Sequence, residues 1–337
     1  MLRIARDYNM AIAGTPSFPV IPEVPPYKDP SAGDIIIRTS DGVDFHVSRR
    51  RLAVLNARLD GSLPSTFPSD PKSKPSISVS ETSAVWEKFL RVCLVDEELS
   101  YALDDISSLV ETGLKYGIPA IATRMRYALV GPTALEKEPF RVFLMASAYG
   151  LRDVALVAAR RTLRLEAIDH EAFGALKDVS GLDYLELLKY RSQCGEAARA
   201  VVSPPQQRGN AFKLPGWIAE HPEHWSLLAV TCTARCASDT RTVSVTEVEG
   251  QPTTTYVCVR KSWIAYLDAL GKTLERRPWG PGASDPELLE PVIVSAVNCQ
   301  TCAKSMFRSA MGFAKVVEAR VEQAVGEVRM LTDVRTL

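Results

Sequence analysis

From Asp104 to about residue 200, apolar side chains recur at spacings of three and four, so this part of the chain is committed to helices. A first stripe of Ile106, Leu109, Val110, Gly113 and Leu114 runs up to Tyr116–Gly117, where glycine suits a left-handed cap. Pro119 then opens a helix whose buried face is Ile121, Met125, Ala128 and Leu129, and Gly131–Pro132 closes it. Further helices are predicted over Pro139–Tyr149 (Phe140, Phe143, Leu144), Asp153–Leu165 (Val154, Val157, Ala158), more weakly near His170–Leu176, and over Asp183–Val201 (Tyr184, Leu187, Leu188). The connections are short, which implies antiparallel packing of neighbours.

The residues before this stretch read differently. TPSFPVIPEVPPYKDP at 15–30 holds six prolines, which remove backbone donors and fix φ; residues 1–27 are expected to be a disordered, proline-rich leader. In GDIIIRTSDGVDFHV, the run Ile35–Ile37 precedes Asp41–Gly42, and Val43, Phe45 and Val47 alternate after it, predicting a hairpin with a two-residue Asp–Gly turn. SRRRLAVLNARL reads as a helix with Leu52, Leu55 and Leu59 on one stripe, its Arg49–Arg51 a solvated first turn. Pro64, Pro68, Pro71 and Pro75 mark a long loop over 60–76. A short strand, ISV at 77–79, leads to a capped helix with Trp86, Phe89, Leu90 and Cys93 on its stripe, Cys93 reading as a small buried hydrophobe.

After the extension at 131–202 comes a linker at 203–212, marked by SPPQQRGN, and then a module of changed character at 213–337. RTVSVTEVEGQPTTTYVCVR predicts two strands around a Glu–Gly–Gln–Pro turn. Trp263, Tyr266, Leu267 and Leu270 mark a helix, and about 28 residues from Ala303 mark a long final one. The fold class is therefore α+β and mainly helical. The chain has 337 residues, 46% of them hydrophobic, enough to fill the cores of two domains. Forty Lys and Arg balance forty Asp and Glu, so there is no global positive field to hold a phosphate backbone or an anionic membrane. Apolar runs fall short of a membrane helix, and MLRIARDYNMAIAG breaks its apolar stretch with Arg6, Asp7 and Asn9 before a signal core forms. The expectation is an intracellular protein of cytoplasm or nucleus, with no membrane and no nucleic-acid partner.

Seven cysteines, five of them after residue 230, do not form the dense even framework of a small secreted domain. Cys232 and Cys236 are separated by three residues and Cys299 and Cys302 by two, with a predicted hairpin and helix between the pairs. This is the sequence form of a four-thiolate zinc site, because a C-x-x-C turn aims two sulfurs at one point and the helix that follows favours thiolate. The expected metal ligands are Cys232, Cys236, Cys299 and Cys302, holding one structural zinc; buried thiols and a dithiol redox switch are the alternatives. Cys258 on the second strand can replace a ligand, and Cys194 reads as core. His221 and His224 in EHPEHW read as a solvated helix entrance, His46 as a surface or edge residue, and Trp217, Trp225, Trp263 and Trp279 as core anchors. There is no Walker loop, no G-x-G-x-x-G opening a helix, no G-x-S-x-G and no H-E-x-x-H, so no catalytic residues are expected and the protein reads as non-enzymatic.

The order of hairpin, helix, proline-rich loop, strand, the helix ending RVCL and the pair ISSLVETGLKYGIPAIATRMRYALV resembles the BTB/POZ domain. SDGVDFHV, LRVCL and LKYGI look most like its large fungal branch, and the resemblance covers residues 28–130. It extends more weakly through EPFRVFLMASAYGLRDVALVAARRTL and LLKYRSQCGEAA, which look like the BACK-like helical extension of those proteins. The resemblance implies a small sheet against helical hairpins, protein–protein contact and self-association, and, as its concrete form, a substrate adaptor for a cullin-class ubiquitin ligase. The usual histidine after the second strand is Ser48 here, and the next helix ends Asn56, Ala57, Arg58, Leu59 without the family's aromatic pair. In better-known members that helix contributes to the dimer seam and to cullin docking. The alternative function is a transcription-associated BTB protein with a zinc-pinned C-terminal module.

Overall fold

A computed structural model describes residues 29–31, 33–48, 50, 74–94, 101–168, 180–203, 213–214, 216–218, 240–246, 254–297 and 299–330. Residues 51–59 of the predicted helix SRRRLAVLNARL, the helix near His170–Leu176, the linker after Ser203, and Trp225, His221 and His224 lie outside these residues. The mainly helical α+β class is what the structure has. Contacts divide the chain into two compact units, Met1–Glu98 with Glu111–Ile121, and Leu99–Val110 with Ala122–Leu337.

In the first unit, β1 (Ile35–Arg38) pairs antiparallel with β2 (Asp44–Val47) and parallel with β3 (Ser76–Ser78), in the order β2-β1-β3. The register sets Ile35 opposite Val47 and Ile37 opposite Phe45, and all four are buried, as alternation requires of a sheet with one face on a core. The hairpin loop is longer than the predicted two-residue turn. Gly42 N–H donates to Thr39 O (2.9 Å), Thr39 N–H donates to Val43 O (3.0 Å), and Gly42 sits at φ 80°. This is the three-residue loop that ends in a left-handed glycine and a bulge, so the positive φ that Asp–Gly signalled falls at Gly42. Asp41 ties this loop to α1 (Ser83–Leu94): its carboxylate accepts from Thr39 Oγ1 (2.6 Å), Ser83 N–H (2.9 Å) and Ser83 Oγ (2.6 Å). Those bonds hold the Asp41 carboxyl down at about 2, the Ser83 hydroxyl contributing most.

The apolar face of α1 buries Trp86, Phe89, Leu90 and Val92; Cys93 is only half-buried, correcting its reading as a core residue. Trp86 stacks on Phe89 (4.9 Å between centroids) and meets the edge of Tyr116 (5.6 Å). The Tyr116 hydroxyl donates to Glu81, which also pairs with Lys115 at 2.6 Å. Burial is the main cause that raises the Tyr116 phenol to about 12, with the Glu81 bond adding to it. Tyr116 closes α2 (Leu103–Tyr116), and its packing turns the buried face so that Leu114 is exposed rather than part of the stripe. Gly117 at φ 67° ends the helix as predicted, with Ile118 N–H returning to Gly113 O (2.9 Å), and Pro119 opens α3 (Pro119–Val130). A Cβ on Gly113 would lie 2.9 Å from Ile121 Cγ2, so the glycine lets the two helix ends of this hairpin approach closely.

The second unit continues with α4 (Pro132–Lys137), a short helix the sequence reading missed, α5 (Pro139–Ala148), α6 (Arg152–Thr162) and α7 (Gly181–Val202). Val157 on α6 and Leu188 on α7 are exposed, contrary to the predicted stripes. On α7 the buried face is Leu187, Tyr190, Cys194, Ala198 and Val202, and Leu182, Leu185 and Leu188 share the opposite side. Cys194 is core, as expected, and burial lifts its thiol to about 11. Arg191 donates to the carbonyls of Thr162 and Leu165 at and just past the end of α6, the Thr162 oxygen also accepting from Leu165 N–H (3.0 Å).

Beyond it, β4 (Lys213–Leu214), which was not predicted, pairs parallel with β5 (Thr240–Thr246), and β5 pairs antiparallel with β6 (Thr254–Arg260), as the Val- and Thr-rich runs implied. Then come α8 (Lys261–Arg276), a 3-10 turn at Gly280–Ser284, α9 (Pro286–Val297), also unpredicted, and α10 (Gln300–Glu327). The core here is aromatic. Trp263 meets Phe313 edge to face at 4.3 Å and stacks on Tyr266 at 5.0 Å, while the half-buried Trp217 stacks on Phe313 at 5.6 Å and donates to Val201 O. Among the described residues, no helix is long and apolar enough to cross a membrane.

Candidate metal centre

The second cysteine pair sits where a helix begins. Cys299 is the N-cap of α10, in an extended conformation (φ −116°, ψ 108°), and its carbonyl accepts from Ala303 N–H at 2.9 Å. Cys302 is the third residue of the helix. N-cap and third-residue side chains lie on the same side of a first turn, the geometry that lets a capping box close, so C-x-x-C here brings both thiols to one end of α10. Cys299 N–H donates back to Ala296 O (3.0 Å), and the positive end of the helix dipole favours negative sulfur. Both residues are buried, Cys299 at 5% and Cys302 at 7% exposure.

Arg260 meets Cys302 of this pair, and sequence reasoning missed it. It is the last residue of β6 and the N-cap of α8, so the strand-to-helix junction positions it. Its side chain is 1% exposed, and Nη2 donates to the Sγ of Cys302 at 3.0 Å. The Nε and Nη1 groups are buried without a hydrogen-bond partner. A guanidinium needs its donors satisfied when it leaves water, and the sulfur of Cys302 answers only one of this arginine's nitrogens. The sequence signal available was slight: a charged residue closing an otherwise apolar and hydroxylic strand, TTYVCVR.

Cys232 and Cys236 lie outside the described residues, as does the side chain of Cys258 on β6. Among the described residues, no group of three His, Cys, Asp or Glu gathers to hold a metal; the corner supplies two thiols. In kind, the two buried thiols on one helical turn are the soft donors that zinc takes. Two thiols are half of the four that a closed structural zinc site takes. His46, half-buried in β2, takes no part in the corner, and its Nδ1 is buried without a partner.

Elsewhere in the second unit, a cavity of about 210 Å3 is lined by Ser147, Arg152, Asp183 and Glu186 among apolar neighbours. It holds charged groups of both signs and neither a histidine nor a cysteine in its lining. Compared with known families, curated proteins and solved structures, the chain matches none.

Proposed function

We propose that this chain is a non-enzymatic protein–protein interaction module. Residues 28–130 serve as a BTB-like contact and self-association domain, and the C-terminal module, pinned by zinc on Cys232, Cys236, Cys299 and Cys302, presents the surface for a client. Its concrete form is a substrate adaptor for a cullin-class ubiquitin ligase. One observation supports this most: the first hairpin is followed by a third strand parallel to β1 rather than antiparallel, reached after a long connection, and then by α1 and the tight α2–α3 hairpin. That order is the one the resemblance to the BTB/POZ domain implies. The adaptor role rests on that analogy of fold, since a fold by itself hosts many functions.

The test is quantitative co-purification of the full-length protein from its native cells, with mass-spectrometric identification of what accompanies it. A cullin-class scaffold recovered near stoichiometry, and lost when residues 28–130 are deleted, supports the adaptor form. Recovery of other partners with no such scaffold overturns it. Salt-dependent retention on DNA would instead favour a transcription-associated role.

A further inference from the structure

The cavity of the second unit has no part in the interaction role or in the cysteine corner. It lies where α5, α6 and α7 meet and has a volume of about 210 Å3. Its lining is apolar at Phe143, Ala146 and Ala155 and polar at Ser147, Asp183 and Glu186. Asp183 and Glu186 are three residues apart on α7, so their side chains share one face of that helix. Both are half-buried. Gly150, in the turn between α5 and α6 at φ 68°, also lines the cavity, and a Cβ added there would meet nothing within 4 Å, so the turn leaves open space on that side.

One polar group of this lining is unanswered. Oε2 of Glu186 is buried and has no hydrogen-bond partner, whereas Glu136, Glu138 and Asp153 of the same unit each meet an arginine. An ionised carboxylate only accepts, and burying it unanswered is costly, so the group that completes the site has to donate. Arg152, the first residue of α6, lines the cavity too, but it is exposed and does not bond this oxygen. Two carboxylates against one guanidinium leave the lining negative by one charge, which favours a cation over an anion or a neutral donor. Water answers a carboxylate but gains nothing against Phe143, Ala146 and Ala155, whereas an occupant with an apolar body covers them.

We propose that this cavity binds a small primary amine with a compact apolar body, its ammonium group donating to Glu186 and Asp183 and its body resting on Phe143, Ala146 and Ala155. An ammonium carries three donors, enough for the orphan oxygen of Glu186, for Asp183 and for the hydroxyl of Ser147. An apolar cavity of about 150 Å3 takes up benzene, so this one has room for a ring, or a chain of similar bulk, together with the carbon that bears the amine. It falls below the range of about 300–1,000 Å3 typical of drug-sized ligands, which confines the class to small amines. Glu186 keeps a buried charge that burdens the empty protein, and the amine relieves that burden when it binds. The amine site needs neither the BTB-like domain nor a metal, so its test reads it apart from both.

The experiment titrates the full-length protein near neutral pH with benzylamine by isothermal calorimetry, and with benzyl alcohol as the uncharged analogue of the same shape. Wild type is expected to bind one benzylamine per chain with a Kd below about 1 mM, and benzyl alcohol at least about tenfold more weakly. Glu186→Gln, which keeps the shape and removes the charge, is expected to weaken benzylamine by about 10–100-fold. Without ligand the same variant is expected to unfold at an equal or higher urea concentration than wild type, since the unanswered charge is gone. Ala155→Leu, which fills the cavity from α6, is expected to abolish binding and reports independently of the glutamate; circular dichroism checks each variant. No saturable binding of benzylamine up to about 10 mM overturns the proposal. Equal affinity for benzyl alcohol shows a merely apolar cavity and overturns the cation site. Folded Glu186→Gln and Ala155→Leu proteins that bind benzylamine as wild type does overturn the placing of the site. Tighter binding of L-leucine than of benzylamine overturns the choice of a plain cation, since a zwitterion would then also engage Arg152.

Discussion

Gly195→Ala should destabilise the second unit although it replaces a poor helix former with the best one. Gly195 lies in the middle of α7, and a Cβ there would sit 2.3 Å from the backbone oxygen of Glu275 and 3.1 Å from its carbon, at the end of α8. A carbon–oxygen contact needs about 3.3 Å, so the helices must part by about 1 Å. The obstacle is backbone and cannot swing aside as a side chain would. A gap of that size forfeits roughly a quarter to a half of the dispersion attraction across the contact, here among Cys194, Ala198 and Val202 on α7 and Leu267, Leu270 and Leu274 on α8. Overpacking of this kind costs about 3 kcal/mol, and the gain in helix propensity offsets about 1 kcal/mol. The net loss is about 2 kcal/mol, or about thirtyfold in the unfolding equilibrium. The same substitution at Gly181, the exposed first residue of α7 with nothing within 4 Å of its would-be Cβ, provides the control and should stabilise by about 0.5 kcal/mol. Urea titration followed by amide exchange of peptides from α7 and α8 isolates this unit from the other. Equal or greater stability in Gly195→Ala, or the same sign for both variants, refutes the close-approach argument.

Phe313, fully buried between Trp263 and Trp217, should cost about 3–5 kcal/mol when replaced by alanine, read as a fall in the urea midpoint with unchanged slope; a loss under about 1 kcal/mol would show that the aromatic cluster is not the centre of this core. The Asp41 carboxyl, held down at about 2 by Ser83 and Thr39 against an ordinary value near 4, contributes stability that is complete above about pH 4 and lost as pH falls through about 2. Asp41→Asn should therefore flatten the decline in protection of β1, β2 and α1 between those two values, and parallel curves for wild type and variant would contradict the assignment.

What was legible in the sequence was legible because it is local. The Asp–Gly pair announced the hairpin, although the loop is one residue longer than the pair alone implies and ends in Gly42 at positive φ. Gly117 and Pro119 placed the break between α2 and α3, because a left-handed cap and a first-turn proline are properties of single residues. The short α4 and α9 were missed: the first is six residues between two prolines, and the second carries Pro291 inside it. At the candidate site the sequence offered the cysteine pair and the helix behind it, and nothing that pointed to the arginine.

The sequence alone thus determined the class of the fold, the order of its longer helices and strands other than α9, the break between α2 and α3, and the placing of Cys299 and Cys302 at one helix start. Each of these depends on residues within a turn or two of one another. Only tertiary structure decided where the edge of each covered face falls, so that Leu114, Val157 and Leu188 face outward while Tyr116 faces in. It also decided that Gly195 lies beneath a carbonyl 80 residues away and that Arg260 reaches Cys302 across 42. Such pairings arise where two elements meet, and periodicity within one element carries no information about what packs against it.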